Sequence, residues 1–79
     1  MDFSKCNLEC EIVRVSLLDD NSMFRVYTSN ISKYPFQIKI LEVLPILENN
    51  DFFVGIKTER LDTSEVREMK FETFKELYF

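Results

Sequence analysis

The run from Phe36 to Leu47, FQIKILEVLPIL, is the longest apolar stretch of the chain and the feature that most restricts what it can fold into. Phe36, Ile38 and Ile40 alternate with Gln37 and Lys39, which is the two-residue period of a strand with one buried face. At Ile40 and Leu41 the phase slips by one residue, and Leu41 and Val43 continue the alternation on the other parity. β-branched residues are frequent, and Pro45 would remove a backbone donor from a helix interior, so the helical reading is the weaker one. The pattern predicts a long, bent strand ending near Pro45, with a bulge or twist at the slip.

The same kind of slip occurs earlier in the chain. Leu8, Cys10 and Ile12 share one parity against Glu9 and Glu11, and Val13, Val15 and Leu17 take up the other. Two slips in neighbouring strands predict coiled strands that curl toward a small barrel. Asp19-Asp20-Asn21-Ser22 is a run of turn formers that predicts a hairpin into Met23–Ser29, with Phe24, Val26 and Thr28 on one side and Arg25 and Tyr27 on the other. Asp19 and Asp20 lack the spaced oxygen ligands of a calcium loop. Asn30 to Pro35 reads as a connection, and Glu48-Asn49-Asn50-Asp51 as a second turn. In the strand that follows, Gly55 marks a bulge or a close backbone approach.

The C-terminal segment fits two patterns. One is a helix capped at Asp62 or Thr63. The other, which accounts better for the alternation in Met69-Lys70-Phe71-Glu72-Thr73, is a last strand followed by a short helical turn through Thr73–Leu77. The predicted strands are 8–18, 23–29, 36–44, 52–60 and 65–71. The expected fold is a single domain over 1–79, mainly β: a small curled antiparallel sheet or five-stranded barrel-like domain with a short C-terminal helical segment.

Seventy-nine residues make one small core, which gains from burying further apolar surface against another chain. Two residues of this chain carry thiols and none carries imidazole. Cys6 and Cys10 are too far apart on a strand for a disulfide, on a helix could approach only without ideal bridge geometry, and are too few for a structural zinc site, so no metal and no cofactor is expected. Cys10 is expected to be a buried reduced thiol and Cys6 to lie at the surface. No serine sits in an activating motif, and so small a domain leaves little room for a pocket of roughly 300 Å³ or more, so no enzymatic activity is expected. With no apolar run long enough to span a bilayer, an acidic start at Met1-Asp2-Phe3, and Asn30-Ile31-Ser32 read as a loop and not as a glycosylation acceptor, the expected location is cytoplasmic, without a membrane partner.

Three functional classes remain. The first is a small protein-interaction module or regulatory subunit, acting on a protein partner or on itself as a homodimer. Its candidate contacts are Phe53, at a sheet edge lacking a charged guard, and Phe74, Tyr78 and Phe79 in the apolar chain end. The second is a nucleic-acid-binding small barrel using Arg14, Arg25, Tyr27, Lys39 and Lys57. The charge balance argues against it: five basic and five acidic side chains over residues 1–40, then five basic and nine acidic over 41–79. The third is an acidic inhibitor that mimics nucleic acid with carboxylates such as Glu48, Asp51, Glu59, Asp62, Glu65, Glu68, Glu72 and Glu76.

Overall fold

A computed structural model describes residues 2–30 and 33–79. Ile31 and Ser32 of the Asn30-Ile31-Ser32 triplet, like Met1, lie outside the described residues. Helix α1 (Phe3–Asp19) is followed by a short 3-10 turn (Ser22–Phe24), strands β1 (Val26–Thr28), β2 (Gln37–Glu48), β3 (Asp51–Arg60) and β4 (Val66–Lys70), and helix α2 (Phe71–Tyr78). The strands form one antiparallel sheet in the order β1-β2-β3-β4, curled as half of a barrel. The curled antiparallel sheet and the short C-terminal helix are as the sequence predicts; among the described residues there are four strands and not five.

The hairpin β2–β3 is the spine of the sheet. Glu48 pairs with Asp51 across Asn49 and Asn50, whose φ angles of 52° and 61° are both left-handed. Two left-handed residues in a two-residue loop match the twist of the flanking strands, and asparagine tolerates that conformation better than most side chains. Ile40 pairs with Thr58 and Glu42 with Lys57, which leaves Leu41 as the extra residue of a bulge. The bulge is the predicted slip: Ile38 and Ile40 are buried before it, Val43 after it.

Pro45 does not end β2, contrary to the sequence reading. The strand continues to Glu48, and Pro45 pairs with Val54. β1 reaches only Gln37 to Lys39, so this part of β2 has an open edge. The Val43 carbonyl points to that edge, where the Arg14 Nη2 donates to it at 2.7 Å. Pro45 has the same parity, so the ring occupies a backbone position that owes no hydrogen bond to β3.

The larger correction concerns residues 8–18, which are helix and not strand. Cys6, Cys10, Val13 and Leu17 follow steps of four, three and four, one side of a helix, and pack on the sheet. Leu8, Ile12 and Val15 occupy the opposite side. Two opposed apolar stripes read in sequence as a strand alternation with a phase slip. The Asp2 side chain caps the helix by accepting the Lys5 N–H at 2.7 Å, and Asn21, with a φ of 62°, turns the chain after its end. Ile12, Val13 and Val15 disfavour helix slightly, and tertiary burial of the inner stripe outweighs them.

The buried face of the sheet presents Tyr27, Ile38, Ile40, Val43 and Ile56 to α1 and to Phe74 of α2. Phe74 is wholly buried, with the rings of Tyr27 and Tyr78 each at 5.2 Å and that of Phe79 at 5.5 Å. The Tyr27 hydroxyl donates to the Ser22 carbonyl at 2.6 Å, tying β1 back to the 3-10 turn that follows α1. The Asn30 N–H donates to the Leu77 carbonyl at 3.0 Å and pins α2 beside β1. Gly55 is a site of close approach, as expected: a Cβ there would fall on the Ile46 side chain and stand 3.0 Å from the Leu44 carbonyl oxygen.

Two aromatic truncations separate the core from its rim. Phe74→Ala is expected to cost about 3–5 kcal/mol in urea unfolding, and Phe79→Ala, at a site 61% exposed, less than about 1 kcal/mol. Equal losses at the two sites would contradict this packing.

Candidate protein-interaction surface

The outer side of α1 is built by the same periodicity that builds its inner side. With about 100° per residue, Leu8, Ile12 and Val15 fall within one narrow stripe, directly opposite Cys6, Cys10, Val13 and Leu17. They are 68%, 62% and 53% exposed, and Leu18 beside them is 42% exposed. No charged side chain interrupts the stripe between Leu8 and Val15; Lys5 stands at its N-terminal end and Asp19 at its C-terminal end. Glu11 flanks it and is paired with Arg14 of the next turn. A helix that only covers a sheet has a polar outer side. The sequence reading missed this surface because it took the segment as strand; the steps from Leu8 to Ile12 to Val15 are the signal that finds it.

The four contact candidates named from sequence do not form one surface. Phe53 lies half-buried on the face of the sheet away from the helices, where the Lys70 ammonium sits 4.3 Å from its ring centre and also pairs with Glu48 at 3.1 Å. Phe53 therefore has a charged guard, contrary to expectation. Phe74 is core and offers nothing to a partner in the folded chain. Tyr78 is half-buried against Phe74, and Phe79 is exposed but rests on Tyr27 at 5.6 Å.

Nor are the five nucleic-acid candidates brought together. Tyr27 is buried beneath α2. Arg14 is held by Glu11 and the Val43 carbonyl, and Arg25 donates to the Asp20 carbonyl at 3.3 Å. Lys39 and Lys57 share the open sheet face, Lys39 paired with Glu59 at 3.2 Å and Lys57 across from Glu42. Pairings of the same kind engage four of the eight carboxylates of the mimicry reading: Glu48 with Lys70, Glu59 with Lys39, Asp62 with Arg60 and Glu65 with Arg67.

A cavity of about 360 Å³, larger than expected for so small a domain, opens between the end of the sheet and α2. Phe36, Met69 and Leu77 line it together with Arg60, Arg67 and Tyr78. Both guanidinium groups are engaged by neighbouring carboxylates. Arg60 donates twice to Asp62, at 2.6 and 3.0 Å, and lies over the Phe36 ring at 4.1 Å; Arg67 donates to Glu65 at 2.8 Å. The hydrogen bonds from Arg60 hold the Asp62 carboxyl below the usual carboxylate range, and burial pushes the Tyr78 hydroxyl up. The cavity thus has balanced charge and no unclaimed cation among these groups.

Both thiols are free and buried one helical turn apart on the inner side of α1, so the surface position expected for Cys6 is corrected. Burial is the main cause that pushes the Cys10 thiol up, with the neighbouring Cys6 adding to it. Among the described residues no group of three or more His, Cys, Asp and Glu side chains is placed to hold a metal ion, and no helix is long and apolar enough to cross a membrane.

The structural class is therefore a curled four-stranded antiparallel sheet with helices on one face and an apolar outer stripe on the longer helix. Compared with known protein families, curated proteins and solved structures, the chain matches none.

The thiols give a pH test. Cys10 is protonated in the folded chain above the pH at which it ionises once unfolded, so its contribution is complete below the ordinary thiol value of 9.0 and is lost as pH rises toward the folded value. Urea midpoints are expected to fall above pH 9.0 in the wild type and to fall less in Cys10→Ala. At neutral pH both thiols are expected to react with a disulfide reagent only at the rate of unfolding.

Proposed function

We propose that this chain is a small non-enzymatic protein-interaction module, or the regulatory subunit of a larger assembly, whose contact surface is the outer side of α1. The observation that carries the reading is the exposure of Leu8, Ile12 and Val15 as an unbroken stripe on a helix whose other side already fills the core. Burying a large apolar side chain contributes roughly 1.5–3 kcal/mol, so three in a row supply a substantial gross gain before the cost of association. An amphipathic helix laid against an apolar surface is a common recognition mode, read as anchors three and four residues apart. The helix is held from behind by the sheet, so little ordering is needed when it docks. Free, buried thiols accord with a reducing compartment, and the proposed location is cytoplasmic.

Immobilised wild-type protein is expected to retain a defined protein, whether a further copy of itself or a different chain, and Ile12→Lys to lose it with an unchanged circular-dichroism spectrum. Phe53→Lys, on the opposite side of the molecule, is expected to retain it. Identical recovery by wild type and Ile12→Lys would overturn the assignment.

A further inference from the structure

The charges at the two ends of the α1 stripe indicate what covers it. Lys5 and Asp19 each lie seven residues, about two helical turns, from Ile12, one before it and one after. At 3.6 residues per turn they fall about 20° to either side of Ile12, so both continue the line of the stripe. If two copies of α1 meet face to face and antiparallel, with a two-fold axis at Ile12, Ile12 packs on the partner's Ile12. Leu8 then lies beside the partner's Val15, and Lys5 faces the partner's Asp19 twice over. The parallel arrangement sets Lys5 against Lys5 and Asp19 against Asp19. The antiparallel one also places the positive end of each helix beside the negative end of the other and beside Asp19 and Asp20. Glu11 approaches its own symmetry mate near the axis, with its charge already matched by Arg14 within each copy.

From this register we infer that the occupant of the α1 outer side is a second copy of this chain, docked antiparallel about a two-fold axis through Ile12. The inference rests on the reading of that side as a contact surface. One helix face per copy is a contact at the small end of specific interfaces, so the dimer forms reversibly and depends on concentration. The open sheet face is less suited to self-pairing, because it is crossed by the Lys39–Glu59 and Lys70–Glu48 pairs.

Sedimentation of the full chain from micromolar to millimolar concentration tests the dimer and its direction. The wild type is expected to dimerise, and Ile12→Lys to remain a folded monomer. Lys5→Asp and Asp19→Lys should each weaken the dimer about tenfold, by turning two attractive contacts into repulsive ones, and the two together should restore it. A parallel pair would be indifferent to either single change, so unaltered dimerisation in both single variants would overturn the proposal. A wild type that stays monomeric throughout would also overturn it. If that monomer still captures a different protein in a manner lost in Ile12→Lys, only the identity of the occupant fails; if capture too is unaffected, the contact surface itself is wrong.

Discussion

The pairing of β2 with β3 through the Leu41 bulge is the constraint on which the other elements depend. A strand of twelve residues with strict alternation would keep one parity inward from end to end. The sequence puts apolar side chains on one parity up to Ile40 and needs Val43 inside on the other. One unpaired residue reconciles the two, and the sheet bends where it occurs. Ile38, Ile40, Val43 and Ile56 then lie on one continuous face, and that face is what α1 and α2 bury.

Curling without closure leaves β2 with an open edge beyond the short β1. Arg14 covers part of it by donating to the Val43 carbonyl, and Pro45 removes a donor that would otherwise invite another strand. Arg14, one of the nucleic-acid candidates in the sequence, thus joins helix to sheet edge. The open face is treated differently: Lys70 shields Phe53 and pairs with Glu48 across β3, and Lys39 pairs with Glu59 on the neighbouring strand, which keeps this face wet. Against these guarded surfaces, the outer side of α1 is the exception.

That exception accounts for how α1 hides in the sequence. A helix apolar on two opposed sides has almost no net amphipathicity, because the stripes Cys6-Cys10-Val13-Leu17 and Leu8-Ile12-Val15 cancel. What survives in the linear text is a frequent alternation rich in Ile and Val, which is also what a strand looks like. The ambiguity and the proposed interface have the same origin: a helix asked to serve two apolar partners.

The local order of the chain left legible marks for the β2–β3 hairpin. The Asn49-Asn50 turn, the slip at Leu41, the close approach at Gly55 and the strand-to-helix change near Phe71 depend on neighbours a few residues away, and the sequence by itself determined them. Residues 3–19 did not have that property. Their apolar pattern fits either period, and only burial against Val43 and Ile56, residues far along the chain, selects the helix. The same long-range packing put Phe74 into the core, guarded Phe53 with Lys70 and tied Arg14 to β2. Side-chain partners across a sheet are set by register and by which face a helix covers, and these are properties of the assembled fold that no local spacing encodes.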